Sequence, residues 1–521
     1  MKINIDNLTI EEKIGQMIGL AFAGTEFSEE LRIQTEEFKA GLFIFFKDNC
    51  VSPRQIFELN QKINEHCEIP PFIGLDQEGG MVARVTTGIV QSPGAMAISA
   101  GSKPEEAFKM AYMMGSELKL LGFNTNFAPE ADVNNNPLNP VINVRSYSED
   151  PHIVTEYMAQ AVKGYDTAGL LTTIKHFPGH GDTAVDSHLG LPTVNYDKER
   201  LNEIELVPFK YAVKHNFPGI MASHILYSDI DNEFPTTMSR KVIQGLLRDE
   251  MGYDGLVITD SLTMKAVWGR YSIEEIVYRS FNSGCDIMLL CGARDIKMQK
   301  EFYETAVRLA KDGKIDMKMI NNSVCRIIKY KQFYTFKMLP SFEYIENQIN
   351  LKERVEYAQK IADRSVTLLR NELDLLPLKK EDKILFVIPK IKVVTLVEND
   401  DNTLNSIADY LDFKVDKLYI DLEPTEEDCK NLLNKEKDYE KIVFCSYNAT
   451  FIKKQEELIN SLDLNKLIVL ALRTPYDYNV VNAKVYLTAY EASVQSYIAL
   501  SKFLVGKIDA MGKCPVTLKN K

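Results

Sequence analysis

The first part of the chain alternates short apolar runs with longer amphipathic segments. The apolar runs have the length of buried strands and include QMIGLAFAG, AGLFIF, PPFIGLD, LLTTIKHF, GIMASHI, GLVITD and CDIMLLC. Between them, segments such as SPRQIFELNQKINEH and KPEEAFKMAYMMGSELKLLG place apolar residues at three- and four-residue steps, which is typical of helices. About eight such alternations predict a (β/α)8, TIM-like barrel, which we assign to residues 1–335. A doubly wound open sheet is the alternative that the same pattern allows.

A second α/β pattern follows residues 336–350, which we interpret as a linker. Residues 351–521 open with the helical pattern LKERVEYAQKIADRSV and continue with strand-like runs that helical segments separate. These runs are KILFVIP, KVVTLVEN, KIVFCSYN, KLIVLALR and AKVYLTAY. The pattern predicts a C-terminal three-layer α/β sandwich domain. Because no G-x-G-x-x-G follows its first strand, we do not expect it to bind a dinucleotide.

The composition narrows the class of protein. A chain of 521 residues with 45% hydrophobic and 26% charged residues favours two or three globular domains. The net charge of −12 argues against nucleic acid or an anionic membrane as a partner. No stretch reaches the roughly 18 apolar residues of a membrane span, and the N-terminus does not resemble a secretory signal. The eight cysteines are scattered without a C-x-x-C pair, so we expect a cytoplasmic protein with reduced thiols.

Polar residues follow several apolar runs at the point where each predicted strand ends. Asp76 follows PPFIGL, His176 follows LLTTIK, His224 follows GIMAS and Asp260 follows GLVIT. Catalytic groups of (β/α)8 barrels come from the C-terminal ends of several strands. The four side chains are therefore predicted to meet at one face of the barrel.

The segment Lys175–Pro192, KHFPGHGDTAVDSHLGLP, concentrates ionisable residues on a glycine-rich stretch and contains three of the seven histidines. Asp186 and His188 are two residues apart, which puts both side chains on one side of an extended backbone. A carboxylate beside an imidazole orients the ring and raises its basicity, so the pair can transfer protons near neutral pH.

Two other interpretations of this segment stay open. His176, His180, Asp182 and His188 are all possible zinc ligands, although no His-Glu-x-x-His pattern is present. The histidines could also be structural, and for His180 this interpretation is as good as a functional one.

The same segment resembles the bacterial β-N-acetylglucosaminidases of glycoside hydrolase family 3. In that family a KHFPGHGDT-x-x-DSH loop carries an Asp–His pair that acts as general acid/base. The resemblance implies that His188 is the proton donor and Asp186 its partner. It also implies that Lys175 and His176 contact sugar hydroxyls.

Other segments extend the resemblance to the nucleophile and the sugar pocket. GYDGLVITDSLTM implies that Asp260 is the nucleophile of a retaining glycosidase. GLDQEGG implies that Asp76 accepts a hydrogen bond from a sugar hydroxyl. The family often has arginine where this chain has Met81, whereas Arg84 occupies the later arginine position of the motif.

Three further residues are candidates by the same resemblance. NPVINVRSYSEDP implies that Arg145 lies in the pocket, and a surface ion pair with Glu149 or Asp150 is the alternative. MASHILY implies that His224 lines or supports the site, and APEADV places Asp132 behind it.

As a whole, the resemblance implies a retaining exo-β-N-acetylglucosaminidase that needs no metal or cofactor. Its substrate would be an oligosaccharide or muropeptide with non-reducing N-acetylglucosamine, as in cell-wall turnover. Three other functions stay open: a phosphorylase with the same aspartate and Asp–His pair, a metal-dependent barrel hydrolase, and a non-catalytic sugar-binding regulator. The presence of both Asp260 and His188 argues against the regulator.

Overall fold

The computed structural model describes residues 3–183, 190–292, 294–335, 338–391 and 406–519. Within these residues, eight strands of the first part of the chain close into a barrel. They are β1 (Ile18–Ala21), β2 (Leu42–Phe45), β3 (Phe72–Leu75), β4 (Thr125–Asn126), β5 (Leu171–Phe177), β6 (Gly219–Ala222), β7 (Leu256–Ser261) and β8 (Ile287–Leu290).

The barrel strands are all parallel and follow chain order, and β8 pairs with β1 to close the sheet. Leu20 pairs with Phe43, and Phe43 pairs with Ile73. Strands of such a sheet are buried on both faces, which explains uninterrupted apolar runs such as the LFIF of β2. The predicted (β/α)8 barrel is confirmed, and the doubly wound alternative is wrong.

Helices surround the barrel and begin and end at local capping signals. Ser52 accepts a hydrogen bond from the Gln55 amide, so the predicted helix after it begins at Pro53. Another helix ends at Gly284, whose φ of 110° is in the left-handed region that glycine tolerates. The α-helices of this part are Ile10–Gln16, Glu29–Arg32, Pro53–Glu65, Ala95–Gly101, Pro104–Leu120, Pro151–Thr167, Lys198–Glu203, Val207–Lys214, Ile273–Ser283, Ile296–Lys311 and Met317–Tyr334, with π-helices at Ile33–Glu37 and Lys241–Glu250.

The second part of the chain builds a separate mixed sheet. Its strands are β9 (Thr367–Asn371), β10 (Ile384–Lys390), β11 (Asp416–Asp421), β12 (Lys441–Ser446), β13 (Leu467–Ala471) and β14 (Val485–Thr488). Their order is β9-β14-β13-β12-β10-β11, with β9 antiparallel to β14 and the other pairs parallel. The α-helices of this part are Phe342–Ile345, Lys352–Ser365, Glu426–Lys435, Lys453–Ser461 and Val494–Leu504.

The second sheet has an apolar core on each face. Phe386 and Ile388 of β10 belong to one buried cluster, and Leu385 and Val387 belong to another. Neighbouring residues of a strand point to opposite faces, so helices cover the sheet on both sides and the predicted three-layer sandwich is confirmed. The predicted strand KVVTLVEN, residues 392–399, lies outside the described residues.

The segment between the two sheets packs against the barrel. Phe342, Ile345 and Ile349 join the barrel's apolar cluster, as does Ile361 of the following helix. The next residue of that helix, Ala362, joins the cluster of the second sheet. The helix Lys352–Ser365 therefore connects the two cores. The division into residues 1–335, 336–350 and 351–521 stays a prediction.

A fourth apolar cluster fills the contact between the barrel and the second sheet. Met96 and Val144 come from the barrel side, and Tyr476, Tyr490 and Val516 come from the second part of the chain.

Among the described residues, we find no helix with the length and apolar character needed to cross a bilayer.

Candidate active site

One face of the barrel gathers the polar residues that follow its strands. Asp76 comes directly after β3, Lys175 and His176 lie near the end of β5, and His224 lies two residues past β6. Asp260 is the penultimate residue of β7. Since all eight strands are parallel, these positions share the C-terminal face, where barrel enzymes carry their active sites.

The centre of this face is a buried cluster of ion pairs. The Nζ of Lys175 lies 2.8 Å from Oδ1 of Asp76 and 2.6 Å from Oε1 of Glu78. Arg145 donates to Glu78 through Nη2 at 2.8 Å and Nε at 3.0 Å. This two-point contact fixes the orientation of the guanidinium plane relative to the carboxylate plane. The Asp76 side chain is 22% exposed and that of Glu78 only 7%, so Asp76 is the carboxylate that a ligand can reach.

These contacts set the charge states of the carboxyl groups. Burial opposes ionisation of Asp76 and Glu78, but the nearby cations prevail and hold the pKa of each below its ordinary value. For Asp76 the cations are Lys175 and Arg84, and for Glu78 they are Arg145 and Lys175. Both side chains are therefore ionised at neutral pH and can accept hydrogen bonds.

Glu130, four residues past β4, differs from its neighbours. It is 2% exposed, and its Oε1 lies 2.5 Å from Nη2 of Arg145. Burial, with the negative charges of Glu78 and Asp132, raises the pKa of Glu130 well above its ordinary value. Of the two carboxyl groups that share Arg145, Glu130 is thus the one that retains a proton more readily.

Asp132 organises the two histidines at the start of the glycine-rich segment. Its Oδ2 lies 2.7 Å from Nδ1 of His176, and its Oδ1 accepts the backbone amide of His180 at 2.6 Å. Nδ1 of His180 lies 2.7 Å from the Thr183 hydroxyl. Burial lowers the pKa of His180 to about 4, so its ring is neutral. His176 is held by a carboxylate, whereas His180 has the buried, neutral ring of a structural histidine.

Asp260 is held by its own strand end. Its Oδ1 accepts the backbone amide of Ser261 at 2.7 Å. His224 is fully buried, with Nε2 2.7 Å from the Ser261 carbonyl and Nδ1 2.8 Å from the Thr237 hydroxyl. These contacts favour a role for His224 in fixing the backbone beside Asp260 over direct contact with a substrate.

The structure brings most of the predicted site residues together. Arg84 and Lys175 approach different oxygens of Asp76. Nη2 of Arg84 lies 3.5 Å from Oδ2, and Nζ of Lys175 lies 2.8 Å from Oδ1. Arg145 pairs with Glu78 and Glu130, so the alternative of a surface ion pair with Glu149 or Asp150 is wrong. Asp186 and His188 lie outside the described residues.

Two members of the ion-pair cluster were not identified from the sequence. Glu78 stands two residues after Asp76, a spacing that shares a side of an extended chain and could have pointed to it. Glu130 follows the fourth strand, so the strand-end rule could have found it as well. The short, two-residue β4 gave too little apolar pattern to mark that end.

One group of residues has donor atoms close enough together for a metal ion. Glu130, Asp132 and His176 each offer an atom within 4.8 Å of the others. Asp132 already bonds His176, and Arg145 lies against Glu130, so a cation there would meet a guanidinium. Of the other proposed zinc ligands, Asp182 contacts the Tyr196 hydroxyl and lies 3.6 Å from Arg200. The candidate ligand atoms thus already have partners within the protein, which argues against a metal ion at this group.

Comparison with known proteins agrees with this geometry. Residues 9–330 match the family model described as the glycosyl hydrolase family 3 N-terminal domain. β-Hexosaminidase A of Pseudoalteromonas piscicida is 36% identical over 366 residues, which are 62% of this chain and 61% of that protein. The chain thus spans less than two thirds of that relative's length.

Two further relatives match this chain over a larger share of their own length. A β-hexosaminidase of Xylella fastidiosa, strain M23, is 33% identical over 282 residues, which are 53% of this chain and 83% of that protein. The solved structure of a glycoside hydrolase family 3 β-N-acetylglucosaminidase from Paenibacillus sp. strain FPU-7 is 34% identical. It superimposes with a TM-score of 0.92 and covers 98% of this chain and 99% of that one.

Proposed function

Because the chain belongs to glycoside hydrolase family 3, we propose that it is a retaining, exo-acting β-N-acetylglucosaminidase. The observation that carries the proposal is that Asp260 and the segment starting at Lys175 leave the same barrel face, on strands β7 and β5. A retaining glycosidase needs a carboxylate nucleophile and an acid/base group flanking one glycosidic bond. The similarity to a β-N-acetylglucosaminidase over nearly the whole chain supports the choice of sugar.

In the proposed reaction, Asp260 attacks the anomeric carbon and forms a glycosyl ester while His188, as imidazolium, protonates the departing oxygen. Neutral His188 then takes a proton from water, which displaces Asp260 with a second inversion. Asp186 orients the imidazole and raises its pKa, because a neighbouring negative charge favours the protonated ring. Each step transfers one proton, and the two steps together return His188 to its imidazolium form.

The ion-pair cluster is proposed to hold the sugar rather than to react with it. Asp76, ionised and partly exposed, accepts a hydrogen bond from a sugar hydroxyl, and Lys175 and Arg145 fix its surroundings. Arg84 and His176 complete the polar wall. We propose a muropeptide or oligosaccharide with terminal N-acetylglucosamine as the natural substrate.

The first test of this function is the choice of sugar. Aryl β-N-acetylglucosaminide should be cleaved faster than aryl β-glucoside by at least roughly 10²-fold in kcat/KM, since a pocket with polar groups for a substituent rejects sugars that lack it. Asp76→Ala should lower both values, because its proposed partner is a hydroxyl that both sugars carry. Equal values for the two glycosides, or a preference for the glucoside, would contradict the proposal.

The same assay separates hydrolysis from phosphorolysis. Product analysis with and without inorganic phosphate should yield free N-acetylglucosamine in both cases and an unchanged rate. Accumulation of N-acetylglucosamine 1-phosphate would replace the hydrolase with the phosphorylase that the same aspartate and Asp–His pair also permit.

Removal of metal ions should leave this activity intact. We expect the enzyme dialysed against a strong chelator to keep its kcat/KM, because Asp132 and Arg145 already occupy the carboxylate and imidazole atoms that could bind a cation. Metal analysis of the active protein gives the second reading. Activity that disappears with the chelator and returns with zinc would favour a metal-dependent hydrolase instead.

A further inference from the structure

The second domain contacts the loop that carries Asp76 and Glu78. The two glycines of that loop, Gly79 and Gly80, have φ values of 100° and 59°, in the region that favours glycine. The Glu78 and Gly79 amides donate to the Val82 carbonyl, and the Gly80 amide donates to Ser92. We call residues 78–82 the glycine turn. Its conformation decides where the Glu78 carboxylate meets Lys175 and Arg145.

Glu491 reaches this turn from the second domain. It follows strand β14 and is 1% exposed. Its Oε2 accepts the Gly94 backbone amide at 2.8 Å, and its Oε1 accepts the hydroxyls of Ser493 and Ser496 at 2.8 and 3.2 Å. Three donors thus hold the carboxyl group in one orientation at the boundary between the domains.

The carboxyl group fills the space that two glycines leave open. A Cβ atom on Gly80 would lie 2.4 Å from Oε2 of Glu491 and 2.7 Å from Cα of Gly94. A Cβ atom on Gly94 would lie 3.1 Å from the same oxygen. The close fit means that the position of Glu491 and the path of the glycine turn are mutually dependent.

Met81 strengthens this contact with an apolar side chain. It packs against the apolar cluster of Tyr476, Tyr490 and Val516 at the domain boundary. Its unbranched apolar side chain is suited to this contact between the domains. A small cavity is lined by Met81 together with Glu78, Arg145 and Glu491.

We infer that Glu491 is a positioning residue for the sugar-binding loop: from the second domain it fixes Gly80 and Gly94, and through the glycine turn it fixes Glu78 against Lys175 and Arg145. This inference rests on the proposed glycosidase function. It gives the second domain a role in the affinity of the barrel for its substrate. Glu491 itself does not touch the sugar.

Four variants measured on aryl β-N-acetylglucosaminide test the inference. Glu491→Ala should raise KM about tenfold and leave kcat within about threefold, because a misplaced binding loop weakens ground state and transition state alike. Glu491→Gln should stay near the wild-type KM, since its amide oxygen still accepts from Gly94 and the serine hydroxyls can turn to accept from its nitrogen. Thr517→Val removes the domain contact with Glu149 away from the turn and serves as the matched control.

Thermal denaturation separates positioning from simple support. KM is measured at a temperature well below the lowest Tm of the four variants, so that every variant is folded during the assay. A Glu491→Ala enzyme with lowered Tm but unchanged KM would overturn the inference and leave Glu491 as a stabilising contact only. A Thr517→Val enzyme with the same rise in KM would also overturn it, because any weakened domain contact would then suffice.

Glu491→Asp decides the matter if the alanine variant does not fold. Aspartate keeps the carboxyl group but is one methylene shorter, so it cannot reach Gly94 and both serines together. We expect a KM several-fold above that of Glu491→Gln, and equal values in the two variants would contradict the inference. If the wild-type enzyme does not cleave the N-acetylglucosaminide at all, the proposed function is wrong. That outcome is distinct from an active enzyme whose KM does not change when Glu491 is substituted.

Discussion

Asp260→Ala is expected to lose nearly all turnover, with kcat reduced on the order of 10⁴-fold or more, the scale seen when a covalent nucleophile is removed. Asp260 is the penultimate residue of β7, on the barrel face that also carries Asp76 and Lys175. Alanine leaves no carboxylate to form the glycosyl ester, and the other acidic groups of the cluster are tied to Lys175 and Arg145. Steady-state kinetics on an activated aryl glycoside measure the loss.

The Asp260 prediction has a matched control in Asp260→Asn. Asparagine keeps an oxygen that accepts the Ser261 amide, so this variant should fold as the wild type does and still be inactive. Added azide should react from the side that the carboxylate vacated and yield the inverted α-azide from Asp260→Ala. Near-normal hydrolysis by either purified variant would remove Asp260 from the nucleophile role.

The fold was predictable because its signal is local and repeated. Each barrel strand is an apolar run followed by an amphipathic helix, so a window of a dozen residues contains the evidence for each unit. The same repetition places Asp76, Lys175 and Asp260 at the ends of parallel strands, and the site could be outlined from that rule. The very short β4 is the exception, and Glu130, four residues past it, was missed.

The partners of the charged residues were not predictable in the same way. Arg145 stands close in sequence to Glu149 and Asp150, yet it pairs with Glu78, which is 67 residues away. Glu491 accepts a hydrogen bond from the amide of Gly94, which is 397 residues away in the sequence. Such pairings depend on how strands and domains meet in space, and no local pattern of hydrophobic and polar positions encodes them. Strand-end positions and the family resemblance identified the candidates, and only the fold assigned the contacts.

His188→Ala is expected to slow glycosyl-enzyme formation strongly for substrates with basic leaving groups and only slightly for those with acidic ones. A general acid contributes about 10²–10⁴-fold when the departing oxygen must be protonated, whereas a dinitrophenolate leaves without a proton. His188 lies outside the described residues, which end at Thr183, whose hydroxyl contacts His180, and resume at Gly190. Burst kinetics across a series of aryl leaving groups measure the effect.

Two comparisons make the His188 prediction specific to proton transfer. Asp186→Asn should change the same steps in the same direction but less, because asparagine can still orient the ring while it no longer raises the ring's pKa. His180→Ala should not alter the dependence on the leaving group, since the neutral ring of His180 is bonded to Thr183 and supports the loop. If His188→Ala slowed all leaving groups equally, the imidazole would be a binding or structural group, and the proton would have to come from another residue.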